Sequence, residues 1–251
     1  MDKIPHPIKS LTAFFPCYND GGTIASMVVL MDQTLKNLTD DYEILVIDDG
    51  SSDHSREILR ELQCRYNRLR VILHEKNQGY GAALKTGFAS ATKEWIFYTD
   101  GDFQYDVTEL QRLLGAAHHG IDVVNGYKVS RSYPLHRRVI GRIYHWTMKL
   151  IFGLAIRDVD CDFRLIRKKV FRNIALEHNS GVICVEMVKK LQDAGCQFAE
   201  VPVSHYFRVY GKSQFFNFKR VSRVGIDILK LWWKIVVKKE GGRRVGRDQG
   251  V

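Results

Sequence analysis

Two pairs of carboxylates stand where this chain could do chemistry. Asp48 and Asp49 follow the predicted strand 43–47, and Asp100 and Asp102 follow the apolar strand 95–99. Asp100-Gly101-Asp102 sets two carboxylates on one short turn, and Gly101 permits tight backbone geometry there. Hard oxygen ligands at that spacing suit Mg2+ or Mn2+ held between the protein and a diphosphate. An ion so placed would neutralise charge growing on a departing nucleotide diphosphate. Each pair alone serves equally as a helix cap or turn acid. Two pairs, both at strand ends within one half of the chain, are harder to explain that way. Asn77-Gln78-Gly79-Tyr80-Gly81 is a further candidate. It fails as a dinucleotide fingerprint, because Leu84 occupies the place of the third glycine. It reads either as a turn opening a helix or as a backbone wall beside a nucleotide.

The elements that must position these residues alternate. Strands are predicted at 11–16, 43–47, 70–74, 95–99 and 122–125. Helices are predicted at 23–38, from a Ser52 or Asp53 cap to about 66, at 80–91 and at 107–118. Such alternation implies an α/β domain with a largely parallel, Rossmann-like sheet flanked by helices. Ligands of open parallel sheets bind beyond the carboxyl ends of the strands, where both acidic pairs fall. After residue 126 the rhythm changes. A basic loop (127–138), a helix (139–152), a strand (163–166), a helix (182–194), a strand (197–203) and a long helix from about 217 follow. The Gly- and Arg-rich residues 240–251 are expected to be disordered.

Composition narrows the partners. The 251 residues are 45% apolar, enough for a real core. Five cysteines, an odd number without C-x-x-C spacing, indicate buried thiols in a reducing, cytoplasmic setting. The net charge of +10 is concentrated. Residues 128–149 carry six Lys/Arg and no acid, residues 216–251 carry a net +7, and the remainder is net negative. Two anion-seeking patches are therefore expected. No stretch of 18 apolar residues occurs, so no ordinary membrane span is predicted.

Taken in order, Pro16-Cys17-Tyr18-Asn19-Asp20, Ile47-Asp48-Asp49-Gly50-Ser51-Ser52-Asp53, Asn77-Gln78-Gly79 and the Asp100/Asp102/Gln104 turn resemble the family 2 glycosyltransferases. Asp162-Phe163-Arg164, Glu200-Val201-Pro202-Val203 and Arg208-Val209-Tyr210-Gly211-Lys212-Ser213 are similar to its dolichyl- or polyprenyl-phosphate mannose/glucose synthase branch. The resemblance covers about residues 10–215. It implies a GT-A-type domain (1–215) with a nucleotide-sugar half (10–126) and an acceptor half (127–215). It further implies inversion at the anomeric carbon by direct displacement. Pro16, Tyr18, Asp20, Asp48, Asp49, Gly79, Asp100 and Gly101 would then line the nucleotide-sugar pocket, and Asp100, Asp102 and Gln104 would hold the metal. Asp20 stands where Glu is usual, and Lys128 where Arg is frequent. The Gly-x-Ser-Lys pattern becomes Gly211-Lys212-Ser213-Gln214.

A phosphate monoester acceptor is already mostly ionised at neutral pH, so it needs cations to orient it rather than a strong base. Lys128, Arg131, Arg137, Arg138, Arg142 and Lys212 are candidates, with Arg208 expected to act in catalysis. Arg164 is either a further phosphate ligand or one half of an ion pair with Asp162. Along 216–239, Val221, Val224, Ile228, Leu231, Trp232 and Ile235 form an apolar arc with a basic stripe. Either it docks on the domain, or it rests peripherally on anionic lipid at the cytoplasmic face of a membrane. Two other enzyme readings stand beside this one. Transfer to a sugar or protein hydroxyl would need a base such as Asp158, Asp160 or Asp162. Nucleotidyl transfer is disfavoured because Cys17-Tyr18-Asn19-Asp20 follows the first strand in place of a basic glycine-rich stretch. Nucleic-acid binding fits the charge but finds no recognition motif. His118-His119 are expected on the surface, and Tyr144, His145 and Trp146 in core packing rather than as aromatics on the acceptor side.

Overall fold

The computed structural model describes residues 8–129, 135–208, 218–238 and 240. Seven strands form one sheet in the order β3-β2-β1-β4-β6-β5-β7. They are β1 (Ser10–Cys17), β2 (Asp41–Asp48), β3 (Leu69–Leu73), β4 (Trp95–Thr99), β5 (Val123–Lys128), β6 (Phe163–Arg167) and β7 (Phe198–Val203). β1 pairs in parallel with β2 and β4, and β5 with β7, whereas β6 runs antiparallel to both β4 and β5. The α/β fold with a mostly parallel sheet is as the sequence implies, and it is of the GT-A type.

Alternation along the strands divides the core. Leu11, Ala13 and Phe15 of β1, with Trp95 and Phe97 of β4, face α1 (Ile24–Leu38), α2 (Ser55–Arg65) and α4 (Leu110–Ala116). Phe14, Leu45, Ile47, Ile96 and Tyr98 face the opposite layer, α3 (Tyr80–Ser90) and α6 (Ile183–Asp193). In α1, Ile24, Met27, Val28, Met31, Leu35 and Leu38 recur at three- and four-residue steps on one buried face. Asp53 accepts from the Ser55 amide at 3.0 Å, one residue before His54 at the N-cap of a helix that starts at Ser55. Four cysteines are buried thiols, while Cys64 is exposed on the outer face of α2.

A third cluster joins α5 (Leu135–Phe152), α6 and α7 (Phe218–Trp232), the last continued by a π-turn at Trp233–Val237. Met148 and Phe152 of α5 meet Leu231 and Ile235 of the terminal helix and Val185 and Val188 of α6. The expected apolar arc is therefore turned inward: Leu231 and Ile235 are buried, with Val224, Ile228 and Trp232 packed beside them. Val221, whose side chain lies outside the described residues, completes that arc in sequence. A different row, Ile226, Leu229, Trp233 and Val237, faces solvent, as do Ile143, Trp146 and Leu150 of α5. Trp146, at 64% exposure, is not the core side chain expected of it. Among the described residues no helix is long and apolar enough to cross a membrane.

Candidate active site

The carboxyl ends of β1, β2 and β4 share one rim. Cys17 is level with Asp48 in the ladder, and a Cβ on Gly101 would stand 2.4 Å from the Pro16 carbonyl. Only glycine allows that approach, so Gly101 brings the Asp100–Asp102 turn against the end of β1. Thr23 Oγ1 ties the same turn to α1 by donating to the Gly101 carbonyl at 3.2 Å. The loops after β1 and β2 are laced together. Asn19, with φ of 57°, accepts from the Ser52 amide at 2.8 Å, and Gly21 N donates to Asp53 Oδ2 at 3.0 Å.

Because β6 is antiparallel, its first residue, Phe163, pairs with Thr99, the last of β4. Asp162 therefore joins the rim beside Asp100. Burial first, then the charges of Asp162 and Asp102, push the Asp100 carboxyl well above the usual carboxylate range. The Tyr80 hydroxyl, donating to Asp100 Oδ1 at 2.8 Å, and the charge of Lys128 work the other way. Burial, then the charges of Asp100 and Asp162, hold the Tyr80 phenol well above its ordinary value, so it stays a donor. Asp20 is pushed up to about 6 by burial, opposed by the Tyr18 amide and Arg208, with Asp102 and Asp53 adding to the rise. Arg208, from the segment after β7, pairs with Asp102, Nη2 to Oδ2 at 2.5 Å. Burial lowers its pKa, but Asp102, Asp20 and Asp100 outweigh that and raise it. A dication suits this crowding: hard oxygens, mutual repulsion between Asp100, Asp102 and Asp162, and one arginine sharing the load. Gln104 donates its side-chain NH2 to the Tyr206 carbonyl at 2.9 Å, which leaves its amide oxygen as the ligand atom it could offer.

Several expected roles change on the structure. Asp49 is engaged within the protein. Its Oδ1 accepts from the Gln78 amide and from His74 Nδ1, and its Oδ2 accepts from the Gly79 amide. It fastens the 77–79 loop. Gly79, with φ of 102°, is there for close packing, since a Cβ would meet the Asn179 carbonyl at 2.5 Å. Arg164 is fully buried, and its guanidinium donates to Asn125 Oδ1, the Tyr98 hydroxyl and the Val159 carbonyl. It braces the sheet, and its approach to Asp162, at 3.7 Å, matches the ion-pair reading. Asp48 is fully buried beneath Arg56, Nε to Oδ1 at 2.6 Å, while its Oδ2 has no hydrogen-bond partner. Pro16 and Tyr18 sit half-buried at the rim.

Lys128 ends β5, with its Nζ on the Asp160 carbonyl and its amide donating to Asp158 Oδ2 at 3.3 Å. Burial lowers its pKa, but Asp158, Cys161, Asp160 and Asp162 raise it further. Arg137, Arg138 and Arg142 lie along α5. Arg131 and Lys212 lie outside the described residues. His145, Asp158 and Asp160 bring one ligand atom each within 4.8 Å of one another, a second acid-rich set that spacing along the chain does not disclose. His118 and His119 are exposed, as expected. Tyr80 and Arg56 are the residues that the sequence placed least well. Only the Asn77-Gln78-Gly79-Tyr80 turn pointed toward the first.

A seven-stranded GT-A sheet with acids along the carboxyl rim of its parallel strands defines a class of sugar transferases. The sequence matches Glycosyl transferase family 2 over residues 12–175, and the chain belongs to that family. Its fold is similar to that of glucosyl-3-phosphoglycerate synthase from Mycobacterium tuberculosis in complex with phosphoglyceric acid. The TM-score is 0.68 and the identity 16%, over 90% of this chain and 79% of that one. The same enzyme with Mn2+, UDP-glucose and phosphoglyceric acid gives a TM-score of 0.67 at 16% identity, over 89% and 80%. With Mg2+ and UDP the values are 0.67 and 16%, over 89% and 79%.

Proposed function

We propose that this glycosyltransferase is an inverting, metal-dependent enzyme. It would move a hexose from a nucleotide sugar, of GDP-mannose or UDP-glucose type, to a polyprenyl or dolichyl phosphate at a membrane surface. The observation that carries the reading is the gathering of Asp20, Asp100, Asp102 and Asp162 on one rim with Arg208 paired to Asp102. Asp100, Asp102 and Gln104 would hold Mg2+ or Mn2+, which supplies charge neutralisation for the departing diphosphate. The structures of the similar synthase with Mn2+ or Mg2+ and UDP support that choice. Pro16, Tyr18, Asp20 and the buried, unpartnered Oδ2 of Asp48 would bind the nucleoside. Arg208 shifts from Asp102 toward the diphosphate when donor enters, adding positive charge where negative charge grows.

For the acceptor, the arginines Arg137, Arg138 and Arg142 of α5, with Lys212 and with Lys128, which sits among Asp158, Asp160 and Asp162, supply cations. An ionised phosphate so held attacks without a general base. Peripheral contact with anionic lipid at the cytoplasmic face would use the outward row Ile226, Leu229, Trp233 and Val237 with Lys230 and Lys238, not the arc buried against α5. A second reading is transfer to the hydroxyl of a small phosphorylated acid. It is favoured by the half-buried Asp162 carboxylate beside Asp100, placed to act as base, and by the phosphoglycerate bound in the similar synthase.

The deciding experiment incubates the protein with GDP-mannose, UDP-glucose or UDP-N-acetylglucosamine and Mn2+ or Mg2+. Short polyprenyl phosphates, 3-phosphoglycerate and free sugars serve as acceptors. Sugar transferred to polyprenyl phosphate is expected. Product on 3-phosphoglycerate alone selects the second reading, and no transfer from any donor removes both.

A further inference from the structure

The terminal helix and the carboxylate turn are linked by hydrogen bonds through one short segment. Asp227 Oδ2 on α7 accepts from Ser180 Oγ at 3.1 Å, and Lys234 Nζ donates to Glu177 Oε2 at 2.5 Å. From below, buried Glu186 accepts from the amides of Glu177 and His178 at 2.9 and 3.0 Å. The segment so clamped presses on the start of α3. The Gly81 amide donates to the Asn179 carbonyl at 2.9 Å, and a Cβ on Gly81 would stand 2.4 Å from the His178 carbonyl. Between the two glycines that receive this contact is Tyr80, whose hydroxyl holds Asp100. Backbone contacts this close leave α3 little room to shift without moving 177–180.

We propose that Tyr80 is a positioning residue for Asp100, and that docking of α7 seats it there through segment 177–180. The inference rests on the reading of Asp100 and Asp102 as metal ligands. A hydroxyl that donates to a ligating carboxylate fixes its rotamer. Loosening either end of the linkage lets the Asp100 carboxylate turn, and the cation is held less well. A helix that also contacts a membrane can thereby tune metal binding at the far end of the linkage.

The test is a set of full-length variants titrated with Mn2+, the free ion being counted by electron paramagnetic resonance. Tyr80→Phe is expected to weaken Mn2+ binding about tenfold. Asp227→Asn with Lys234→Gln should weaken it severalfold, and Ser180→Ala less so. In the combined variant the losses should not multiply: Mn2+ affinity should equal that of Tyr80→Phe alone, because both changes act through one hydroxyl. Thermal melting confirms that each variant is folded. Multiplying losses, or wild-type affinity either in Tyr80→Phe or in the Asp227→Asn with Lys234→Gln variant, would overturn the proposal. A wild-type protein that binds no Mn2+ would remove the metal reading itself and this inference with it, an outcome distinct from the other two.

Discussion

Arg208 is predicted to have opposite effects on the ion and on the reaction. Its guanidinium holds Asp102 at 2.5 Å, on a side chain that remains about a third exposed. An ion bound through Asp102 would lie about 5 Å from that guanidinium. At this distance a dication and a unit charge repel by about 1.7 kcal/mol in a water-like dielectric, the choice suited to a partly exposed pair. Arg208→Gln removes the repulsion. Mn2+ alone should therefore bind about tenfold more tightly to the variant than to wild type. The same change strips the diphosphate of a cation where charge develops, so kcat/KM should fall by a factor on the order of 100–1,000. Calorimetric titration with Mn2+ and initial rates with saturating metal read the two effects separately. A variant that binds Mn2+ no better than wild type and turns over normally would refute the placement of Arg208 between ion and donor.

Three further outcomes follow from the same geometry. Asp102→Asn should abolish transfer with circular dichroism and melting close to wild type, and normal turnover in metal-replete buffer would remove Asp102 from the ligand set. Arg164→Met should destabilise the fold by about 3–5 kcal/mol in chemical denaturation, because Asn125, Tyr98 and Val159 lose a buried partner. A stable variant with only a raised acceptor KM would restore Arg164 to phosphate binding. Glu186 is fully buried, and although burial opposes its ionisation, hydrogen bonds from His178 and Lys190 lower it to about 2 from 4.5. A depressed carboxylate stabilises the fold above its unfolded pKa and ceases to do so as pH falls through its folded one. About 3 kcal/mol should therefore disappear between roughly pH 4.5 and pH 2. Glu186→Gln should flatten that part of the stability profile, and an unchanged slope would show that the network is not the source.

The amino-acid order alone determined a good deal. Apolar runs ending in Asp48 and Asp100 marked β2 and β4 and put both acids at a sheet rim, because strand termini need no distant contact to be recognised. Gly101 between two aspartates signalled a tight turn, and the close approach to Pro16 is its physical cause. The amphipathic period of α7 was plain, but a period says only that a helix has an apolar face. Which row was buried depended on what α5 and α6 offered it, and Leu231 and Ile235 turned inward while Ile226 and Leu229 stayed out. The direction of β6 was equally beyond local pattern, since a short apolar strand reads the same either way. Running antiparallel beside β4, it delivered Asp162 to Asp100 and buried Arg164 beneath Tyr98. Asp49 and Arg164, charged and adjacent to motifs, looked like ligand contacts; tertiary hydrogen bonds gave them internal partners instead. Charge and spacing are properties of the chain, whereas the partner of each charge is fixed only when strands distant in sequence become neighbours in one sheet.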